Sequence, residues 1–556
     1  MALVAGAMSS LVPKLWEIIK DEYGLQKGVR KEARSLAQEL ESAHAALRKV
    51  AEVPPDLLDE QVRVWARELR EASYDMEDVL DAFLVRVDGG GGGEGDQEKE
   101  KGSFVRRLRE KMASLLSKSK ARRGIAGAID DIKKQLREVA ERRGRYTVGD
   151  IAVVKPASAP PIDPRLAALY NDAAKLVGIE DAMDELEVCD SIGSGVENNP
   201  DMNDMRKIAE DFIQHEKHGD NLFEIGERYF NELINRSMME PALLDEEGMP
   251  QACRVHDIVL DLICSLSREE NFVTIPDQVE QSTSWGISVK AHRLSLQKPT
   301  NTSTCSQVTT ASMSQVRSFT VFSPAIKLPS LSCFQVLRVL DLEDFDLSED
   351  GSLKLRHLGS LLHLRYLGLR GTSYSGELPA EIGQLQFLQT LDIQGTDIQE
   401  LPSSTAKLTQ LKCLCFDYNH RTRLRCSWLK QLTSLEELTT VRVDKDSAAE
   451  LVEALVHLTH LRVLSIKIAA GHGELDETLS RALAESLGNL HEIRRLEITD
   501  FAGADLMKSP PPKLRKLAVS VVQMRSGGRA FSSLPPWLSP SSLPLLSSLH
   551  IAASRV

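Results

Sequence analysis

Hydrophobic residues recur at helical spacing through the first 150 residues. They are four and three positions apart along residues 29–50, which predicts one apolar stripe on one helix. Similar stripes run through residues 62–83 and 125–139, and a shorter one opens the chain at residues 11–18. The second stripe consists of Val62, Trp65, Leu69, Ala72, Met76, Val79 and Phe83. Four such helices can bury their stripes only against one another, which predicts a four-helix bundle.

A different repeat follows from about residue 331. The pattern Leu-x-x-Leu-x-Leu, with conservative replacements, recurs every 21 to 32 residues. Its nine units begin at Leu337, Leu364, Leu388, Leu411, Leu435, Leu461, Ile493, Leu514 and Leu546. This period is typical of leucine-rich repeats, in which each unit adds one strand to a curved parallel sheet. The last unit lacks a polar capping repeat, so we expect a truncated or frayed C-terminal end.

Composition narrows the classes of function. The chain has 556 residues, with 68 Lys or Arg against 81 Asp or Glu, a formal charge of −13. This length suggests three or four domains, and the acidic balance disfavours a dedicated nucleic-acid-binding protein. Residues 101–145 are basic, with 15 Lys or Arg against 5 Asp or Glu, but carry few aromatic residues. We therefore predict no specific nucleic-acid partner.

Cysteine usage and hydropathy indicate the compartment. The eight cysteines are scattered without a Cys-x-x-Cys pair, which argues against a disulfide scaffold or a zinc finger. No uncharged apolar run is long enough to span a bilayer, and no basic region precedes the mildly apolar start. We expect a cytoplasmic protein. Peripheral association with the plasma membrane stays open as an alternative, whereas packing of the first helix in the bundle is favoured over membrane insertion.

Three short strings carry a family resemblance. The third helix contains Glu77, Asp78, Val79, Leu80 and Asp81, an EDVID-type motif. Residues 209–241 read as a winged-helix region, and Val255, His256 and Asp257 form an MHD-like motif with Val in place of Met. Together with the bundle and the repeats, these strings resemble the plant coiled-coil nucleotide-binding leucine-rich-repeat (NLR) disease resistance proteins with an Rx-type N-terminal domain.

The resemblance implies a multidomain fold class. It comprises an N-terminal α-helical four-helix bundle, a small α winged-helix remnant and a C-terminal α/β leucine-rich-repeat solenoid. The predicted boundaries are 1–150 for the bundle, 151–190 for a linker with the start of a nucleotide-binding domain, 191–280 for the winged-helix remnant, 281–330 for a connector and 331–556 for the repeats.

One part of the family pattern is missing. The phosphate-binding string Gly-x-x-x-x-Gly-Lys-Ser/Thr does not occur, and most of the nucleotide-binding (NB-ARC) domain of the family is missing. We therefore predict no catalytic residues, no P-loop and no cofactor, whereas ADP or ATP would be expected for a complete family member. No spacing of metal ligands or nucleophiles stands out either, so we predict no metal site and no enzyme activity.

The resemblance also suggests roles for the motifs. In the family, EDVID-type carboxylates dock on arginines of the repeats, and Arg338 and Arg365 occupy equivalent positions of successive units. The alternative from the residues alone is a charged outer face of the helix. His256 would face nucleotide phosphates in a complete relative, and here we expect it to have a structural role.

These features predict a defence protein that acts by binding other proteins. The repeats would recognise a pathogen effector, a guarded host protein or another NLR, and the bundle would make signalling contacts. The protein would then be a receptor, a decoy, a modulator or a degenerate copy. An alternative is a nucleotide-switched receptor, if the nucleotide-binding domain is missing only from the gene model or the site is completed in trans.

Overall fold

A computed structural model describes most of the predicted bundle and solenoid. The described residues are 8–19, 27–51, 60–88, 222–244, 250–256, 292–296, 310–321, 328–348, 355–416, 426–468, 477–499, 509–523 and 541–555. Shorter described pieces are 129, 132–134, 136–139, 141, 206, 208–210, 212–213, 258–261, 263, 537 and 539. The chain forms two compact units. One comprises residues 1–185, 211–225 and 256–272, and the other comprises residues 186–210, 226–255 and 273–556.

The first unit contains the helical bundle. Its long helices are α1 (Met8–Ile19), α2 (Lys27–Ala51) and α3 (Glu60–Asp88), and the described residues between 129 and 141 are helical as well. The apolar stripes meet in one core, which includes Leu11, Leu15, Leu36, Leu40, Leu69, Met76, Ile129 and Ile132. The predicted bundle is confirmed where the structure describes it, and α1 packs in the core despite Pro13 within the helix.

One predicted core position in α3 is wrong. Val79 is 38% exposed, whereas its neighbour Leu80 is completely buried. A strict four-three spacing assumes 3.5 residues per turn, but an α-helix has 3.6, so the buried stripe drifts along a long helix. Leu80 lies 18 residues after Val62, which corresponds to five turns of 3.6 residues.

The winged-helix region is not purely helical, which corrects the predicted small α remnant. Helix α4 (Leu222–Asn235) is followed by the antiparallel strands β1 (Met239–Leu244) and β2 (Pro250–Val255). Ser237 has a positive φ of 55° between the helix and the first strand. The hairpin supplies the wing that the name of this fold implies.

The second unit is built on a parallel sheet of eleven strands. They are β3 (Arg293–Leu296), β4 (Ser318–Val321), β5 (Val339–Asp341), β6 (Tyr366–Gly368), β8 (Thr390–Asp392), β10 (Cys413–Cys415), β11 (Glu437–Val443), β12 (Val463–Ile468), β13 (Arg495–Thr499), β14 (Lys516–Gln523) and β15 (Ser548–Arg555). Their order in the sheet follows the chain. A separate pair joins β7 (Ser375–Gly376) to β9 (Asp397–Ile398).

All nine predicted repeats supply a strand, and the solenoid is confirmed. Two further strands, β3 and β4, precede them, so residues 281–330 are not merely a connector. The leucines of the first eight predicted units lie in a continuous core, whereas Leu549 of the last unit is 45% exposed. On the opposite side the units return through 3-10 helices such as Ala380–Gln384 and Ser403–Lys407, and later through α5 (Lys445–Leu455) and α6 (Glu477–Gly488).

The 3-10 helices of adjacent repeats pack so closely that glycine is required at Gly383. A Cβ atom there would lie 2.6 Å from the backbone oxygen of Ser404 in the next unit. We expect Gly383→Ala to lower the free energy of unfolding of the solenoid by about 1–3 kcal/mol, because a backbone atom cannot move aside cheaply. Urea unfolding followed by circular dichroism would measure this loss.

The exposed neighbour Glu381 provides a control, since Glu381→Ala should change the stability by no more than about 0.5 kcal/mol. A loss of similar size in both variants would show that the spacing of the two turns does not constrain residue 383.

Candidate functional site

Two of the three EDVID-type carboxylates lie inside the bundle, whereas Asp78 is partly exposed. Glu77 is 1% exposed and Asp81 is 7% exposed, so the outer-face alternative is wrong for both. Lys14 of α1 places its Nζ atom 2.5 Å from Glu77 Oε1 and 2.9 Å from Asp81 Oδ1. Ser10 donates a hydrogen bond to the same Glu77 oxygen at 2.5 Å. This polar cluster ties the first helix to the third. The predicted docking of these acids on Arg338 and Arg365 stays a prediction.

The arginines of the repeats form a ladder along the start of the strands. Arg365 N donates to Arg338 O at 2.8 Å, and Arg338 N donates to Arg317 O at 2.7 Å. The structure thus places Arg338 and Arg365 at equivalent positions, and it adds Arg317 from a repeat that the leucine pattern does not reveal. Arg462, Arg494 and Arg515 continue the same arrangement near the other end of the sheet.

The MHD-like motif lies at the end of the wing. Val255 closes β2 and pairs with Met239 across the hairpin. The Nδ1 atom of His256 is buried without a hydrogen-bond partner among the described residues, while its carbonyl oxygen accepts a hydrogen bond from Leu260 N at 2.8 Å. Asp257 lies outside the described residues. The expected structural role of His256 therefore stays a prediction.

The sheet face between the inward leucines forms the extended concave surface that stacked repeats create. We define it as the concave face, made of the third and fifth positions of each Leu-x-x-Leu-x-Leu unit. In the early strands these positions are buried, among them Tyr366, Thr390 and Cys413. In β13 and β14 the corresponding Arg495 and Lys516 are partly exposed. The concave face is thus closed near β5 to β10 and open near β13 and β14.

A segment of the winged-helix region covers part of the closed end. Arg206 Nη2 lies 2.8 Å from Asp341 Oδ2 and 2.8 Å from Glu343 Oε2. Its Nε atom donates to the Tyr366 hydroxyl at 3.3 Å, and its guanidinium carbon lies 5.5 Å from the centre of the Tyr366 ring. We call Asp341, Glu343 and Tyr366 the guanidinium pocket.

Two further contacts hold the same segment on the sheet. Arg365 Nη1 donates to Ala209 O at 3.4 Å, and Arg293 Nε donates to the carboxylate of Glu210. Arg365, predicted as a partner of the EDVID-type acids, therefore contacts the winged-helix segment. Sequence reasoning missed Arg206 and Glu210, because nothing in their local pattern distinguishes them from surface helix residues.

Gly368 shapes the guanidinium pocket. A Cβ atom at this position would lie 2.6 Å from Asp341 Oδ1 and 2.9 Å from Tyr366 Cε1. The missing side chain lets the ring of one strand approach the carboxylate of the next. In the parallel register Asp341 pairs with Gly368, and Gly368 pairs with Asp392. Two carboxylates therefore flank the glycine along one row of the concave face.

Burial dominates the electrostatics of this row. It raises the pKa of Asp341 to about 6, against the opposing effect of Arg206. It raises the pKa of Asp392 to about 7, although Gln394 N donates a hydrogen bond to Asp392 Oδ1 at 3.0 Å. The other oxygen, Asp392 Oδ2, is buried without a hydrogen-bond partner among the described residues. This end of the concave face is built to receive positive charge.

The described parts of the chain do not support a metal site or a membrane-spanning helix. They contain no group of three or more His, Cys, Asp or Glu residues that could hold a metal ion. Cys333, Cys413 and Cys415 are free thiols, and burial raises the pKa of the last two. None of the described helices is long and apolar enough to cross a membrane.

Family models match three regions of the chain. The Rx N-terminal domain matches residues 7–107, the disease resistance protein winged helix domain matches residues 206–263, and a leucine-rich repeat region matches residues 315–556. The order of the three matches agrees with the order of the bundle, the wing and the solenoid along the chain.

Curated relatives share part of the chain. It is 30% identical to the disease resistance protein Pik-2 of Oryza sativa subsp. japonica over 334 residues, 59% of this chain and 29% of that protein. Identity to PIK6-NP of the same source is 34%, over 53% of this chain and 27% of the relative. For RPP13 of Arabidopsis thaliana it is 30%, over 53% and 32%. The chain spans less than a third of the length of each relative.

Proposed function

Because the chain belongs to the plant coiled-coil NLR disease resistance proteins, we propose that it serves plant innate immunity by recognising another protein through the concave face of its repeats. The observation that carries this proposal is the eleven-stranded parallel sheet with an open row of charged positions at β13 and β14. Stacked strands can vary these positions without disturbing the leucine core. A pathogen effector, a guarded host protein or another NLR would suit such a surface.

The bundle would supply the signalling contacts, and we assign the chain neither a nucleotide switch nor an enzymatic activity. The missing P-loop string supports this assignment, because its backbone amides and lysine are what hold nucleotide phosphates in a complete relative. Heat-denaturing the native full chain should release less than about 0.1 mole of ADP and ATP per mole of protein. Near-stoichiometric release would contradict the assignment and favour the nucleotide-switched alternative.

Recognition itself is testable in the plant. A line lacking the gene should lose a defence response, and the wild-type chain should restore it. We expect the double variant Arg495→Glu/Lys516→Glu to bind its partner at least about tenfold more weakly and to restore no response, because charge reversal at the centre of an interface is costly. Co-immunoprecipitation of the candidate partner would quantify the affinity change.

A matched control lies away from the concave face. Arg481 in α6 is 51% exposed and pairs with Glu477 one turn away, so Arg481→Glu tests charge reversal outside the proposed surface. Restoration by this variant and not by the double variant would support recognition by the concave face. Equal restoration by both would contradict it.

A further inference from the structure

The guanidinium pocket has the composition of a binding site for an arginine side chain. Its carboxylates, Asp341 and Glu343, both lie 2.8 Å from one guanidinium nitrogen. The Tyr366 ring lies beneath the cation at 5.5 Å, and its hydroxyl accepts a further hydrogen bond. Paired carboxylates with an aromatic face select a flat, delocalised cation over a compact ammonium group.

The pocket belongs to the repeats, whereas its occupant comes from a distant part of the chain. Asp341, Glu343 and Tyr366 are held by β5, the turn after it and β6, and Gly368 leaves the room that the ring requires. Arg206 precedes them by 135 to 160 residues. The sheet residues would therefore remain arranged around the same space after Arg206 withdrew.

The pocket would attract a replacement cation. Arg370 Nε lies 3.6 Å from Glu343 Oε1 and balances part of the acidic charge. Without Arg206, Arg370 would be left opposite Asp341, Glu343 and the nearby Asp392. The buried oxygen Asp392 Oδ2 has no hydrogen-bond partner among the described residues. A buried carboxylate row without a cation is unfavourable, which favours rebinding of positive charge.

We propose that the pocket formed by Asp341, Glu343 and Tyr366 is a guanidinium-binding site for an arginine of a protein partner, and that Arg206 occupies it as an internal competitor. This inference rests on the proposed function, in which the concave face binds another protein. It adds the chemistry of one contact: an exposed arginine enters the closed end of the face when the segment at residues 206–210 is displaced.

Chemical rescue in the full chain tests the site directly. The variant Arg206→Ala empties the pocket, and methylguanidinium chloride at 20 mM is the probe, with methylammonium chloride at equal ionic strength as its comparison. We expect methylguanidinium to raise the melting temperature of Arg206→Ala by about 2–4 °C more than methylammonium does. This is the shift expected when the ligand concentration is about ten times the dissociation constant of the site. The wild-type chain should show no such difference.

Two further variants make the result specific. The triple variant Arg206→Ala/Asp341→Asn/Glu343→Gln should lose the selective response. Arg236→Ala, which removes an exposed arginine that pairs with Glu232 one turn away, should behave as the wild type does. If Arg206→Ala does not fold alone, the yield of refolding with each cation becomes the readout, and selective recovery with methylguanidinium supports the site.

An equal response to both cations, or no response in either readout, would overturn the guanidinium site. That failure would leave the proposed function standing, because the variants at Arg495 and Lys516 test recognition at the open end of the face. Conversely, selective rescue with unchanged function of those variants would retain the pocket and reject recognition through β13 and β14.

Discussion

Replacing Lys14 by alanine should release the first helix from the bundle. Lys14 is the cation between two buried carboxylates, Glu77 and Asp81, and its side chain is only 13% exposed. Removing one partner of a buried ion pair costs about 3–5 kcal/mol, because the remaining charge has lost its counter-ion in a poorly solvated site. We expect a value near the lower limit of this range, since water reaches part of the lysine.

Hydrogen exchange in the full chain would measure the effect where it arises. A loss of about 3 kcal/mol corresponds to roughly 100-fold lower protection of the amides of α1. Lys31→Ala removes an exposed lysine from α2 and should leave α1 protection within about twofold. If Lys14→Ala lowered protection less than tenfold, Glu77 and Asp81 would have found another cation, and the cluster would not be what holds the helix.

Replacing Asp392 by asparagine should change how the stability of the solenoid depends on pH. The unfolded aspartate titrates near 3.8, and burial raises the pKa in the folded chain to about 7. Between these values the folded state binds a proton that the unfolded state has released. Stability is therefore greatest at low pH and falls as the pH rises towards 7, by about 1.4 kcal/mol per pH unit.

Comparing the stability of the wild type and of Asp392→Asn at two pH values isolates the contribution of Asp392. From pH 5.5 to 8.0 the wild-type solenoid should lose about 2 kcal/mol through Asp392, with a smaller loss through Asp341, and Asp392→Asn should abolish the larger part. Urea midpoints at both pH values provide the measurement. Glu377→Gln, at an exposed carboxylate, should leave the dependence unchanged. An equal loss in the wild type and in Asp392→Asn would show that Asp392 is ionised in the folded chain.

Hydrophobic periodicity predicts most of the fold, because the positions that must be buried in the core determine that periodicity. The stripes of α1 to α3 and the nine leucine units follow from residues whose side chains the core requires. The two missed strands have weaker patterns. The unit of β4 reads Val316, Phe319 and Val321 instead of three leucines, and the unit of β3 begins with Ala291. Other hydrophobic side chains fill the same core positions, but a repeat pattern that requires leucine does not detect them.

The hairpin of the wing is hidden for a different reason. Pro241 stands within β1 and Pro250 opens β2, and proline lacks the amide proton that a sheet uses. The hairpin accommodates both prolines because it has only two strands and its register is irregular. Local propensity therefore argues against the strands that the chain forms.

Long-range polar contacts account for the rest of the difference. Glu77 and Asp81 look like surface acids until Lys14, more than 60 residues earlier, is placed against them. The guanidinium pocket likewise joins residues that only the fold brings together. No spacing in one sequence encodes which cation meets which carboxylate, since ion pairs impose little pattern on the residues between them.

The graded burial of the concave face divides the solenoid into parts that natural selection can treat differently. Near β6 to β10, a substitution at Tyr366, Thr390 or Cys413 must satisfy a packed interior. Near β13 and β14, Arg495 and Lys516 are only partly buried, so a substitution there meets fewer packing constraints. If the chain acts as proposed, polymorphism between plant populations should accumulate in the last repeats, where it would change the recognised partner, while the early repeats vary less.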